Sequence, residues 1–338
     1  MLVFSVTGEG AVKSTFLYVA DPIHTFNPTS DTTLALMQEA QRRGITNVVC
    51  EMKDLAAGAT GSAFARARPV TVRTPTADDP SFFAAGAPQD LSFDDIDVVW
   101  MRKDPPVDDS YLYATMLLDR RDPAHTLVLN EPTALRVVHE KLWALGYPDL
   151  VPPQVVTSRP DVLRAFVQQH GKAALKPLAF MGGMGVMVFA ADDVNLKSAI
   201  DLLTMEGRRP ALAQAYLPAV KQGDKRVIVV QGEPIAALNR VPRGDDVRAN
   251  LHAGGTAQQG VIDDDDRRIC ARLAPELVRL GIFFAGLDVI GGKLTEVNVT
   301  SPTGLPQINR LDGRRGATLV EAIMLDRVES LLARRPVR

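Results

Sequence analysis

A chain of 338 residues with 46% hydrophobic and 23% charged side chains is long enough for two or three cored domains and has the balance of a globular protein. Its 38 basic and 40 acidic residues leave a net charge of −2, and the basic pairs Arg208-Arg209, Arg267-Arg268 and Arg314-Arg315 form no stripe, which excludes a nucleic-acid surface. Cys50 and Cys270 stand outside any Cys-x-x-Cys pair, residues 1–16 have no basic stretch ahead of their apolar ones, and no apolar run approaches the roughly 20 residues of a membrane span; a reducing cytoplasm is the expected setting.

The segment Gly8-Glu9-Gly10-Ala11-Val12-Lys13-Ser14-Thr15 hints at a phosphate-binding P-loop, but Val12 stands where that motif needs Gly before its Lys. Residues 1–16 therefore read as a variable extension. Residues 16–20 form an apolar strand, and residues 32–43 a helix that Asp31 or Ser30 can cap and Gly44 can end. Strands follow at 46–50, 97–101 and 126–129. Strands alternating with helices predict a parallel α/β sheet, whose ligands bind at the carboxyl ends of its strands. Asp21, Arg102, Lys103 and Asp104 lie just past such ends.

Glu131-Pro132-Thr133 marks a boundary, and the pattern predicts that the next helix carries Lys141. Beyond Val151-Pro152-Pro153 come a strand at 154–157, a helix at 160–170, a strand at 173–176, a glycine run at 181–185 and a strand at 186–190. Strands at 211–215 and 225–230 precede residues 241–259, which read as a long mobile loop suited to an active-site lid. A helix at 263–281, a hairpin at 287–299 and a helix at 318–333 complete the chain. There is no Gly-x-Ser-x-Gly and no His-Glu-x-x-His; His139 and His170 fall in predicted helices as structural or exposed residues.

The hairpin carries the sharpest chemistry. Apolar residues flank Gly291-Gly292, and alternation along a strand points Glu296 and Asn298 the same way, with Asp288 across the turn. Hard oxygen donors so placed suit Mg²⁺ bridging to nucleotide phosphates. Upstream, Lys176 sits on a strand among apolar residues and wants an anionic partner, while Gly182, Gly183 and Gly185 let backbone N–H groups approach phosphate. Lys141 is a third candidate for the same anion. Asp224-Lys225-Arg226, Arg240 and Arg248 form a group suited to carboxylates, which arginine binds bidentately. Ser301 and Thr303, directly after the hairpin, can donate to a substrate or shape a turn.

These motifs, in this order, resemble the bacterial glutathione synthetases of the ATP-grasp ligase superfamily. The likeness rests on Met101-Arg102-Lys103-Asp104-Pro105-Pro106, Leu175-Lys176-Pro177-Leu178, Tyr216-Leu217-Pro218-Ala219, Asp224-Lys225-Arg226-Val227, Asn250-Leu251 with Ala253-Gly254-Gly255, and Gly286-Leu287-Asp288 through Pro302-Thr303. It implies an α/β ATP-grasp fold with an N-terminal parallel-sheet, Rossmann-like domain (1–133), a central lid (134–213) and a C-terminal catalytic part (214–338). The implied reaction joins γ-glutamylcysteine and glycine through an acyl phosphate, releasing ADP and phosphate. Its implied requirements are ATP and Mg²⁺, with Mn²⁺ as the alternative ion. It implies a homo-oligomer, often a tetramer, with no nucleic acid or membrane partner.

By the same resemblance, Lys141, Lys176, Met181, Gly182, Gly183, Gln214, Tyr216, Leu217 and Asp224 bind nucleotide. Asp288, Glu296 and Asn298 hold the metal. Arg226, Arg240 and Arg248 serve catalysis beside phosphate and carboxylate, and Arg102, Asn250, Gly254, Gly255, Ser301 and Thr303 meet substrate. The chain departs from the family pattern at Ala179-Phe180, where Asp-Gly is usual, at Ala215 and at Ala249. A related ligase with a different acceptor, or a nucleotide-binding homologue without turnover, are the alternative readings.

Overall fold

The computed structural model describes residues 14–58, 61–76, 79–244, 249 and 254–335. The first sheet begins with β1 (Thr15–Val19), α1 (Thr32–Arg42), β2 (Thr46–Cys50), β3 (Leu55–Ala57), β4 (Ala63–Val72), β5 (Phe83–Ala85) and β6 (Gln89–Ser92). It continues with β7 (Val98–Met101), α2 (Asp109–Leu118), β8 (Leu127–Leu129) and α3 (Pro132–Val137). Strand order is β3-β4-β2-β1-β7-β8, with β5 and β6 on β4. Pairs β1/β2, β1/β7 and β7/β8 are parallel, as the alternation predicts, and β4 joins β2 antiparallel. Phe16, Leu17, Tyr18 and Val19 are all fully buried, because a central parallel strand has no solvent face. Asp31 caps α1 by accepting from the Leu34 N–H at 2.9 Å.

The second sheet comprises β9 (Gln154–Thr157), α4 (Pro160–His170), β10 (Lys172–Pro177), β11 (Met187–Ala190), α5 (Leu196–Leu203) and β12 (Ala211–Ala215). It is antiparallel, in the order β11-β10-β12-β9. The expected boundary at 213/214 falls inside β12, whose pairing with β10 and β9 runs to Ala215 and Gln214 respectively.

The third sheet is built from β13 (Asp224–Val230), β14 (Glu233–Val241), β15 (Thr256–Gln259), α6 (Asp264–Arg279), β16 (Phe284–Ile290) and β17 (Lys293–Asn298). Its order is β15-β14-β13-β16-β17, and α7 (Leu305–Leu311) and α8 (Val320–Leu332) close the chain.

The cores divide unevenly. Leu163, Val167, Ala173, Leu175, Ile200 and Ala213 form a cluster drawn wholly from the second sheet and its helices. The first and third sheets instead share their cores: Val99 clusters with Val227 and Leu287, and Trp100 meets Phe283 edge-on at 5.7 Å. Among the described residues no helix is long and apolar enough to cross a membrane.

Three expectations need correction. Lys141 is not on a helix, because α3 ends at Val137 and Lys141 sits in the turn beyond it. The β-branched pair Val137-Val138 disfavours continuation, and His139 leaves the helix with it. Residues 241–259 are not one loop, since β14 reaches Val241 and β15 occupies Thr256–Gln259. Of the segment from Gly8 to Thr15, only Ser14 and Thr15 are described, and Thr15 opens β1.

Candidate active site

The Gly291-Gly292 turn, with φ of 55° and 71°, folds β17 back on β16 so that Asp288 faces Glu296 and Gly286 faces Asn298. Both glycines adopt the left-handed conformation that side chains resist. Three oxygen-bearing side chains thus share one face of the hairpin. Asp288 is 2% exposed. Arg226 grips it with Nε at 2.5 Å and Nη2 at 3.1 Å, and Arg240 Nη2 lies 3.0 Å away. The register explains this clasp, because Arg226 pairs with Asp288 across β13/β16 and Asp224 with Arg240 across β13/β14. Arg240 also meets Asp224 Oδ2 at 2.7 Å.

Burial penalises both carboxylates, but not equally. It would lift Asp288, yet the guanidiniums of Arg226 and Arg240 offset it and hold the group at about 2. Asp224 has only Arg240 close by and feels Asp288 and Glu296 as like charges, so burial wins and lifts it to about 6. Asp224 therefore takes up a proton before Asp288 does.

Lys176 Nζ lies 3.7 Å from Glu296 Oε1, and Lys141 Nζ pairs with Glu140. Burial works against the charge on Lys141, but Glu296 and Glu140 raise its pKa. The same amine donates to the Phe180 carbonyl at 2.8 Å, which ties the start of the glycine run to the hairpin side of the site. Gly182, Gly183 and Gly185 have φ of 62°, 80° and 69°. A Cβ on Gly185 would lie 2.8 Å from Pro177 Cγ and 3.3 Å from the Phe180 ring, so the loop packs where only glycine fits.

Two cavities meet at this hairpin. One is lined by Asp104, Met181, Gly182, Arg226, Arg240, Glu296, Asn298, Ser301 and Thr303. The other lies between the second and third sheets and is largely apolar: Ala174, Val186, Val188, Leu217, Val220 and Ile290 surround Lys176, Gly183, Gln214, Tyr216 and Asp224. Glu296 lines both.

The substrate-side turn is held from beneath. Arg102 is buried; its Nη2 donates to the Pro302 carbonyl at 2.9 Å, its Nε to Thr33 at 3.1 Å, and it lies 5.5 Å over the Phe284 ring. It shapes the 301–303 turn and does not line the cleft. Ser301 donates to Asp104. Gly254 and Gly255 lie just before β15 and line neither cavity. Arg248 and Asn250 lie outside the described residues.

Two residues escaped the sequence reading. Glu140 lines the first cavity and pairs with Lys141. Asn130, buried after β8, donates to the Phe284 and Val299 carbonyls at 2.7 Å each and accepts from the Phe284 N–H at 2.8 Å. It joins the first sheet to the start of β16 and the residue after β17. A lone Asn after an apolar strand carries no signal for this; Glu140 had one, its place beside Lys141.

The acidic pair and the amide suit a sparse-ligand cation. Among the described residues no three His, Cys, Asp or Glu side chains converge to hold a metal. Asp288, Glu296 and Asn298 supply two carboxylates and one amide, and the Asn298 nitrogen faces Asp288 Oδ2 at 3.3 Å, turning its oxygen away. Mg²⁺ is commonly bound in this way, by one or two carboxylates plus substrate phosphates, so the residues fit it.

A family model described as the prokaryotic glutathione synthetase N-terminal domain matches residues 15–136, and one described as the prokaryotic glutathione synthetase ATP-grasp domain matches residues 140–313. The glutathione synthetase of Thermosynechococcus vestitus is 45% identical over 304 residues, covering 88% of this chain and 95% of that protein. Among solved structures, the D-cycloserine synthetase DcsG superposes with a TM-score of 0.63 at 15% identity, over 93% of this chain and 99% of that one. A RimK domain ATP-grasp protein from Sphaerobacter thermophilus gives 0.57 at 18%, over 93% and 98%. At such identities these two speak for the fold alone.

Proposed function

Because this chain belongs to the prokaryotic glutathione synthetase family, we propose how its residues divide the work of an ATP-dependent ligase. The protein makes glutathione from γ-glutamylcysteine and glycine with ATP. The observation that carries the residue assignment is that Glu296 and Asn298 of the hairpin line the same cleft as Arg226, Arg240 and the glycine loop, with Asp288 buried behind them in the grip of the two arginines and Glu296 shared between that cleft and the apolar cavity.

In this reading the apolar cavity takes the adenine between the second and third sheets. Gln214, Tyr216 and Leu217 supply its edge, and Asp224 its floor. Lys176, Lys141 and the backbone around Met181, Gly182 and Gly183 receive the phosphates. Arg226 and Arg240 stand beside the transferring phosphoryl group and the donor carboxylate, where permanent positive charge favours the transition state, and the same role is proposed for Arg248. Asp288, Glu296 and Asn298 would hold Mg²⁺, or Mn²⁺ in its place, which when bound would neutralise charge on the triphosphate. A carboxylate is a poor electrophile, so its phosphorylation to an acyl phosphate precedes attack by the glycine amine. Ser301 and Thr303, which line the cleft, orient the reactants, while Arg102 holds their turn.

We assign residues 1–133 to the substrate side, 134–213 to the lid and 214–338 to the catalytic part, assembled as a homo-oligomer of the tetrameric kind. Light scattering reads the assembly. Oxygen-18 in the cysteinyl carboxylate of the donor tests the chemistry: one labelled oxygen should appear in the released phosphate. Glutathione formed with unlabelled phosphate would contradict the acyl phosphate.

A further inference from the structure

The turn that follows α3 holds a histidine that the assigned roles leave unused. At Val138 the chain leaves helical geometry, with φ of −91° and ψ of 88°. It then doubles back, and the Lys141 N–H donates to Nδ1 of His139 at 3.2 Å. Accepting from the backbone N–H two residues on is the ordinary work of an Asn or Asp side chain, and it fixes the turn that follows. Here a ring nitrogen does it. Glu140, between the two, is held as well: its carbonyl accepts from the Val297 N–H of β17 at 2.9 Å.

What this turn aims is Lys141. The buried amine of that lysine pairs with Glu140 and donates to the Phe180 carbonyl at 2.8 Å. His139 looks onto the same segment, since it lines an apolar cavity with Leu135, Val138, Leu178, Phe180 and Met181. Two residues of one turn thus address residues 178–181, where the glycine run begins.

A ring nitrogen differs from a carboxamide in one respect. Protonation converts Nδ1 from an acceptor into a donor, so that it would face the Lys141 N–H donor to donor. The same proton would set a second cation beside the buried Lys141 ammonium. Burial, then Lys141, opposes a charge on the ring, while the Leu178 backbone and then Glu296 favour one. Glu140 and Arg136 line the same cavity. The opposing effects win, and they hold the imidazole below the ordinary histidine value, so it is neutral at pH 7.

Resting on the ligase reading above, in which Lys141 and the glycine loop receive phosphate, we propose that His139 is the positioning residue that aims Lys141, and that protonating its ring loosens the hold on the nucleotide. With the ring neutral, the turn is closed and Lys141 tethers the loop. As pH falls and the ring takes up its proton, the turn opens and the tether is lost.

The test uses the full chain and calorimetry of ATP with Mg²⁺ between about pH 8 and 5, the span in which histidine changes charge. His139→Asn keeps an acceptor for the Lys141 N–H but cannot titrate. His139→Leu keeps apolar packing and has no acceptor. His139→Asn should match the unmodified protein at pH 8 and bind ATP about 3- to 10-fold more tightly than it at pH 5, the worth of one neutral hydrogen bond. His139→Leu should bind about 3- to 10-fold more weakly than either at pH 8 and converge on the unmodified protein at pH 5. Asp224, lifted to about 6, also responds in this span, but it does so in all three proteins and cancels in the ratios. Melting curves at each pH show that the variants are folded; should His139→Leu fail to fold, the His139→Asn ratio decides alone.

A ratio of His139→Asn to unmodified affinity that stays constant from pH 8 to 5 would overturn the inference, as would full affinity in a folded His139→Leu at pH 8 or failure of the unmodified protein to bind ATP. Glycine-dependent turnover, measured alongside, separates the two readings. Turnover without the pH pattern defeats the inference alone. The pH pattern without turnover supports it and defeats the ligase reading.

Discussion

Lys141 shows how much one side chain can hold together. It is 3% exposed, pairs with Glu140 and donates to a carbonyl 39 residues away, that of Phe180. Lys141→Ala removes the tether of the glycine run as well as a charge. The expected result is a rise in KM for ATP of about 10- to 100-fold, a charged hydrogen bond being worth roughly 1.5–3 kcal/mol; initial rates at varied ATP check it, and an unchanged KM would deny the tether any role. Asp288→Asn should abolish metal-dependent turnover, cutting kcat by at least about 100-fold. It also strips two buried guanidiniums of a shared partner, which costs about 3–5 kcal/mol and is read by thermal melting without added metal. Asp288, Glu296 and Asn298 were legible because strand alternation fixes which way each points. The burial of Lys141 was not, because Glu140-Lys141-Leu142 has the composition of a surface helix and the partner that covers it is remote in sequence.

At the scale of elements, α1 is pinned by a charge clasp. Glu39 is 3% exposed and accepts from Arg42 and Arg43, both at 2.7 Å, while Arg43 reaches Asp326, Glu329 and the Ala322 carbonyl on α8. Burial alone would raise the Glu39 pKa, but the two arginines bring it below the ordinary value. A depressed acid stabilises the fold above its unfolded pKa, roughly 4.3, and loses that contribution as pH falls through the folded value. Glu39→Gln should therefore cost about 1–3 kcal/mol at pH 7, with the gap from wild type closing as pH drops below about 4. Melting curves at several pH values decide it; a gap that persists in acid would show that packing, and not charge, is lost.

The α1 helix itself was readable from Asp31 and Gly44, but β4 and β14 were not. Along β4, alanines at 63, 65 and 67 are the buried face and alternate with Phe64 and Arg66 before Arg68, a pattern with little apolar contrast. In β14 the run Glu-Pro-Ile-Ala-Ala-Leu favours a helix by composition, and pairing with β13 overrides it.

Across the whole molecule, the separate core of the second sheet and the shared core of the other two imply one mobile body against one frame. Nucleotide bound between them should slow hydrogen exchange in residues 177–187 while leaving β1 and β7 unchanged. Asn130 stitches the frame. Asn130→Ala leaves the Phe284 N–H and two carbonyls without their partner, and should destabilise the protein by about 3 kcal/mol or more. Denaturant unfolding checks it.

The parallel pairing of β1, β2, β7 and β8 and the place of the hairpin were legible because α/β alternation and the Gly-Gly turn are local signals. The joining of two sheets into one frame was not, since it depends on pairs such as Asn130 and Phe284, 154 residues apart.

The most direct measurement is ADP release with γ-glutamylcysteine, glycine and Mg²⁺, each omitted in turn, with the product identified by mass. One ADP should be released per glutathione formed, with no sustained release when any of the three is missing. ADP release indifferent to glycine, or a product built from another amine, would contradict it.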